Sequence, residues 1–286
     1  MYILISIAAA AFAALLLYGY CSNYFLKAER YFVSAPGVEP GKSIRIVMLT
    51  DLHGTSFGRE NRRLIDAVRR ECPDIICIAG DMTVKNGQGT ERCLALCREL
   101  VGVCPVYYAA GNHEAAMEDC ESFFAALRQT GVVFLDSART DFFFRGKKFS
   151  VYGWSADEWY YHRFWEKREL LPEVLDEQLG VPDRDAYCIL LAHNPEYCEA
   201  YAAWGADLVL SGHVHGGIAR LPLAGGVIDP SLRLFPKYDA GRFQSGEAVM
   251  VLSRGLGTHH IRLRFFNPPE LSVIDLGAPR ISGSKL

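Results

Sequence analysis

Five short blocks place metal-seeking side chains at the ends of hydrophobic runs: Asp51-Leu52-His53, Gly80-Asp81, Gly111-Asn112-His113-Glu114, His193-Asn194 and Gly212-His213-Val214-His215-Gly216. Together they offer two aspartates, one asparagine and four histidines as candidate ligands, with His113 left over for proton transfer. Oxygen and imidazole donors without thiolates suit a pair of borderline-to-hard divalent ions such as Mn, Fe or Zn. Singly, most of the blocks say little. Gly-Asp is a common turn. Gly-Asn-His-Glu can open a helix, with Asn112 as cap and Glu114 in the first turn. His193 before Asn194-Pro195 can simply close a strand. All five in one chain, each after an apolar stretch, point to one metal centre.

The order and content of the blocks resemble those of the calcineurin-like metallophosphoesterase family, over roughly residues 44–277. The resemblance implies a first ion held by Asp51, His53, Asp81 and His215. It implies a second ion that shares Asp81 and adds Asn112, His193 and His213, with His113 catalytic. All eight positions carry the residue type the family uses. One departure is visible: Val214 and the Gly216-Gly217-Ile218 run stand where relatives often carry Thr and Gln. If that segment is extended, Val214 points away from the ligands.

The implied chemistry explains the residue types. Phosphate-ester hydrolysis depends on positioning and charge neutralisation more than on covalent work by the protein. Two cations about 3.5–4 Å apart can clamp phosphoryl oxygens and make hydroxide available at neutral pH. A carboxylate touching both ions sets their separation, the role the resemblance gives Asp81. The leaving oxygen needs a proton donor, and His113 is the candidate, with Glu114 placed to orient it.

These blocks must be held by an alternation of strands and helices. Apolar runs predict strands at Ile44–Thr50, Asp74–Ala79, Pro105–Ala110, Val132–Leu135, Lys148–Trp154, Tyr187–Ala192 and Leu208–Ser211, then Ala248–Ser253, Ile261–Phe265 and Leu271–Ile274. Helical spacing covers Arg59–Glu71, Glu91–Val101 and residues 118–129. Near-continuous apolar strands imply burial on both faces, and open α/β sheets put their sites at the carboxyl ends of the strands. The fold class expected is α/β, a two-sheet sandwich of the metallophosphoesterase type preceded by one transmembrane helix. The division is an anchor over 1–26, a tether over 27–43, the metallophosphoesterase domain over 44–277 and a tail over 278–286.

The anchor reading rests on charge and hydropathy. No charged side chain occurs from Met1 to Leu26, and residues 3–17 are nearly all apolar. About 20 such residues span a bilayer, and Tyr18, Tyr20 and Tyr24 suit its interface. A signal peptide would want a basic start, absent here. A lipoprotein site at Cys21 would want a small residue where Tyr20 stands. Lys27, Arg30, Lys42 and Arg45 follow the span and no Lys or Arg precedes it, so the positive-inside rule puts the domain in the cytoplasm. Nine cysteines without paired Cys-x-x-Cys spacing also fit a reducing compartment. No candidate ligand lies in 1–26, so the anchor reads as dispensable for chemistry.

The remaining 250 or so residues suffice for one large domain. A net charge of −3 and a pI near 6.3 give no basic field for nucleic acid, and none is expected as a partner. One segment departs from the even texture: Trp154, Trp159, Tyr160, Tyr161, Phe164 and Trp165 interleave with charged residues. It reads either as a helix packed on the domain or as a lip over the metal cleft. Arg254-Gly255-Leu256-Gly257 and Asn267-Pro268-Pro269-Glu270 read as structural turns, and His259 and His260 as ordinary loop residues. The expected function is dimetal-dependent hydrolysis of a phosphoester or pyrophosphate, with a membrane-associated or lipid-linked substrate favoured by the anchor. Resemblance to the branch holding lipid-A-pathway pyrophosphatases admits a UDP-diacylglucosamine-like pyrophosphate. The alternatives are a tethered phosphodiesterase for soluble substrates and a non-catalytic tethered binding module.

Overall fold

Strand β2 (Ile44–Leu49) shows how the apolar runs are used. Ile44, Ile46 and Met48 enter one buried cluster, while Val47 and Leu49 enter another. A run that buries both faces needs a layer on each side, and the computed structural model supplies them. It describes residues 1–36, 38, 43–161, 168–217, 219–221, 224–229, 233–258 and 262–277.

The chain begins with helix α1 (Tyr2–Cys21) and strand β1 (Lys27–Val33), and then alternates. After β2 come α2 (Arg62–Glu71), β3 (Ile75–Ala79), α3 (Thr90–Val101), β4 (Val106–Ala109), α4 (Asn112–Ala115), α5 (Cys120–Gln129) and β5 (Val133–Phe134). The second half runs β6 (Ala138–Phe144), β7 (Lys147–Trp154), α6 (Pro172–Leu179), β8 (Tyr187–Ala192), α7 (Cys198–Trp204) and β9 (Leu208–Ser211). Short strands β10 (Arg220–Leu221) and β11 (Gly225–Gly226) precede β12 (Gly241–Ser245), β13 (Ala248–Leu252) and β14 (Glu270–Leu276).

Two six-stranded sheets result, ordered β1-β14-β2-β3-β4-β5 and β12-β13-β9-β8-β7-β6. Between them lie Ile46, Met48, Val151, Ile189, Leu191 and Val251. On the outer face of the first sheet, Val47, Ile76 and Ile78 pack with Leu64, Val68, Leu96 and Leu127 of the helices. On the outer face of the second, Leu190 and Val209 pack with Leu175, Tyr201 and Trp204. The molecule is thus an α/β/β/α sandwich. Each buried Val, Ile or Leu contributes about 1.5–3 kcal/mol, so the sheets form a stiff support for the loops at their carboxyl ends.

Three local expectations change. Residues 27–33, expected to belong to a tether, form β1, paired in parallel with β14 from Lys27↔Glu270 to Val33↔Leu276. Its alternating charges look like a membrane flank in sequence, but they are what an exposed edge strand carries. Residues 262–265 of the expected strand Ile261–Phe265 make only an isolated bridge, Ala219↔Phe265. The aromatic segment divides: Trp154 and Tyr160 are buried with Tyr197 and Tyr201, whereas Trp159 is half exposed beneath the Arg168 guanidinium. Phe164 and Trp165 lie outside the described residues, as do His259, His260 and the tail.

Helix α1 is long and apolar enough to cross a membrane. Its final turn is not free of the domain. The Arg264 amide donates to Gly19 O at 2.9 Å, and Asn23 Nδ2 donates to Arg262 O at 3.0 Å and to Tyr20 O at 2.9 Å. A Cβ on Gly19 would sit 2.5 Å from the Phe265 ring, so only glycine allows this approach. The expectation that 1–26 is dispensable therefore needs dividing at about residue 18. Deleting 1–17 should leave the melting temperature unchanged. Deleting 1–26 should lower it on the order of 5 °C, from the loss of hydrogen bonds worth ~1 kcal/mol each and of the Gly19 packing. Equal melting temperatures for the two truncations would contradict the docking.

Candidate metal centre

Each candidate ligand follows a strand end. Asp51 and His53 follow β2, Asp81 follows β3, and Asn112 and His113 open α4 just after β4. From the other sheet, His193 follows β8 and His213 and His215 follow β9. The backbone turns sharply at these points. Asp51, His53, Asp81, His213 and His215 have φ of 53°, 45°, 55°, 75° and 53°. Such left-handed positions cost on the order of 1–3 kcal/mol each for a non-glycine residue and persist only where the surroundings enforce them. Here Asp51 N donates to Gly80 O and His53 N to Asp81 O, each at 3.0 Å. His113 N donates to Asp81 Oδ1 at 2.8 Å, and His213 N to both Asp51 oxygens at 3.1 Å. A Cβ on Gly212 would lie 2.2 Å from an Asp51 oxygen, and one on Gly111 2.2 Å from an Asp81 oxygen. Those glycines let the two sheets' loops close on the carboxylates.

The side chains then converge. Asp51, His53 and His215 form one group whose ligand atoms lie within 4.8 Å of one another, and Asp81, His193 and His213 form a second. His53 and His113 also fall within that distance around Asp81. His53 Nε2 lies 3.0 Å from His215 Nε2, Asp51 Oδ1 3.4 Å from His215 Nε2, and Asp81 Oδ2 3.1 Å from His193 Nε2. Asn112 Oδ1 is buried without a hydrogen-bond partner among the described residues.

The ring orientations differ among the histidines. His193 Nδ1 donates to Ala79 O at 2.6 Å, and His215 Nδ1 to Gly257 O at 3.2 Å. A carbonyl accepts only, so each ring in its neutral form has its lone pair on Nε2, the atom a metal would take. His113 is the reverse: its Nδ1 accepts the Lys85 N–H at 3.2 Å. The His113 proton therefore sits on Nε2, 4.0 Å from Asp81 Oδ2.

Electrostatics agree with a cation site. Asp51 and Asp81 are 0% and 2% exposed. Burial pushes the Asp51 carboxyl up to about 6, Asp81 adding to the rise and His193 opposing it. Burial would raise Asp81 as well, but His193, His53 and His113 hold it well below the carboxylate range. Burial opposes charge on His193, yet Asp81 and Asp51 push it up to about 10. Burial and the His193 charge press His213 down to about 3, and burial with His53 keeps His215 well below its usual value. Buried carboxylates demand a compensating positive charge; the proton held on His193 supplies part of it, and a divalent ion at its Nε2 would take that proton's place, while His213 and His215 face the carboxylates as neutral imidazoles. The orphaned Asn112 oxygen, the two facing Nε2 atoms and the all N/O donor set fit a pair of such ions.

Three contributors were not assigned these roles from sequence. Glu114, expected to orient His113, instead accepts from Asp81 N (2.7 Å), Met82 N (2.6 Å), Thr83 N (3.1 Å), Gly111 N (3.0 Å) and the Tyr108 hydroxyl (3.0 Å). It clamps the second block to the third. Arg264 is buried and donates to Gly257 O at 2.6 Å, the same carbonyl that fixes His215, and to Arg254 O and Gly255 O. The Arg254–Gly257 turn is thereby a brace, with Leu256 N and Gly257 N bonded to Thr50 O and Asp51 O. The available signal for Arg264 was a cation inside an apolar run. Tyr161 sets its ring 5.2 Å from that of His213 and walls the second group. Val214 is buried, but the segment is not extended as expected, since both flanking histidines are left-handed.

The comparisons with known proteins agree with this geometry. The family model described as calcineurin-like phosphoesterase matches residues 44–217, and the chain belongs to that family. An uncharacterized metallophosphoesterase of Aquifex aeolicus is 29% identical over 93% of this chain and 98% of its own. A transmembrane protein with a metallophosphoesterase domain from Danio rerio is 26% identical over 82% of this chain, which spans about half (53%) of it. Among solved structures, a dimetal phosphatase from Danio rerio superposes with a TM-score of 0.44 at 14% identity, covering 75% of this chain and 88% of that one. That likeness is too distant to bear on activity. The chain is a metal-dependent phosphohydrolase of a family that uses two divalent metals.

The clamp can be tested apart from the ligands. Glu114→Ala strands buried backbone donors and should cost about 3–5 kcal/mol, as when one partner of a buried charged network is removed. Urea unfolding should register it, with loss of bound metal. Unchanged stability would contradict the role.

Proposed function

We propose that this calcineurin-like phosphoesterase hydrolyses a phosphoester or pyrophosphate bond of a membrane-associated or lipid-linked substrate. Asp51, His53, Asp81 and His215 are assigned to one ion, and Asp81, Asn112, His193 and His213 to the other. Two divalent ions bound there supply positive charge for phosphoryl oxygens and Lewis acidity toward water. The single observation that carries the reading is the opposed ring orientation: His193 and His215 spend Nδ1 on carbonyls and leave Nε2 for a metal, whereas His113 accepts at Nδ1 and carries its proton on Nε2.

The chain's own groups then divide the work. His113, its Nδ1 fixed by Lys85 N, donates the Nε2 proton to the leaving oxygen. Asp81, held in place by the His113 amide and the Glu114 clamp, joins the two ligand groups. Tyr161 limits water on the second side. Membrane attachment is supported by α1 and by the zebrafish relative's transmembrane description. The charge asymmetry around the span supports a cytoplasmic domain. A UDP-diacylglucosamine-like pyrophosphate falls within the substrate class.

Two experiments follow. Elemental analysis of purified protein should give two divalent ions per chain; Asp81→Ala should empty both sites, and His193→Ala mainly the second. One ion or none in active protein would end the dimetal mechanism. For the proton donor, His113→Ala should keep its metals and lose roughly 10²–10⁴ in kcat. The loss should shrink for nitrophenyl esters, whose leaving group needs little protonation. Equal losses across leaving groups would assign His113 another role.

A further inference from the structure

The end of helix α1 does more than brace the domain. Tyr20, Asn23 and Tyr24 line a cavity of about 400 Å³ whose other walls include His53, Arg92 and Arg262. His53 belongs to the first ligand group. One cavity therefore runs from the last turn of an apolar helix to the edge of the metal centre.

Position and charge suggest its occupant. Twenty helical residues rise about 30 Å, the thickness of a bilayer's hydrocarbon core. With α1 in a bilayer, Tyr20–Tyr24 stand at headgroup depth, where tyrosines concentrate. Among the described residues, Arg92 and Arg262 are exposed and make no ion pair, and none of those that line the cavity is a carboxylate. Asn23 spends its amide N–H groups on Gly19 O, Tyr20 O and Arg262 O, leaving a buried Oδ1 without a partner among the described residues. The cavity is thus polar, cationic and open to the headgroup layer rather than the hydrocarbon.

From these observations we infer that the cavity is a substrate subsite, taking the phosphate-bearing headgroup of an anionic lipid from the leaflet beside the domain and presenting it to the His53 edge of the metal centre. The inference rests on the phosphohydrolase reading above and names the substrate class. It makes the terminus of the membrane helix a wall of the substrate site.

The full-length chain in phosphatidylcholine vesicles, carrying a trace of phosphatidic acid with a photoactivatable group beside its phosphate, tests this directly. Labelling should fall within residues 18–24, 53–56, 84–92 or 256–258 or on Arg262. It should drop by about tenfold or more in Arg92→Glu/Arg262→Glu, the order expected when two arginines cease to attract an anionic headgroup. A matched choline-headed probe should label these peptides weakly. Labelling confined to residues 2–17, equal labelling by the choline probe, or no loss in the double variant would overturn the subsite. Abolition of labelling by millimolar inorganic phosphate would overturn it in favour of free phosphate. Nitrophenyl diester hydrolysis on the same vesicles reports the phosphohydrolase reading separately. Its absence with the expected labelling would refute that reading and leave the lipid site standing.

Discussion

Two carboxylates buried where water cannot reach them are the constraint on which this molecule turns. Asp51 and Asp81 sit between two sheets, almost wholly enclosed, and an ionised carboxylate in such a place is tolerable only beside positive charge. Among the imidazoles around them, His213 and His215 are pressed toward neutrality, whereas His193 is driven by the two carboxylates toward its charged form. Metal binding and folding stability are therefore coupled: whatever cation fills the pocket also relieves the burial. Left-handed backbone at five of the candidate ligand positions adds to what the surrounding structure must hold.

The sandwich is arranged to hold it. Stiff parallel strands from both sheets end at one edge, and hydrogen bonds cross between loops that are distant in sequence. Glu114 gathers the amides of residues 81–83 and 111, while Arg264 gathers the carbonyls at 254, 255 and 257. One anion collects donors and one cation collects acceptors. Arg264 also receives α1, since its amide meets Gly19 O. The apolar helix α1, the His215 carbonyl partner and the first block are thus linked through a single residue, which gives that helix a physical connection to the site.

Sequence made the ligand blocks legible because strand-end Asp, Asn and His beside glycines are rarely needed for packing alone. The strands of the two central cores were legible for a related reason: runs such as Ile44–Leu49 bury both faces and leave little ambiguity. What escaped depended on partners far along the chain. Lys27–Val33 became a strand only through β14, more than 200 residues away, and its charges suited an edge as well as a membrane flank. Ile261–Phe265 had a strand's alternation, but Arg264 turned inward to carbonyls that no local pattern announces. Glu114 sat inside a recognised block, yet adjacency to His113 suggested the wrong contact. The histidine ring orientations, on which the proposed split between ligand and acid rests, depend on Ala79, Gly257 and Lys85 and are visible only in three dimensions.

The central claim is that these residues form one paired-ion centre. Anomalous diffraction at the manganese edge from crystals of the Mn-loaded protein examines it most directly. The account expects two peaks bridged by Asp81, one within reach of Asp51, His53 and His215 and the other within reach of Asn112, His193 and His213, with His113 bound to neither. A single peak, or an ion ligated by His113 Nε2, would contradict it.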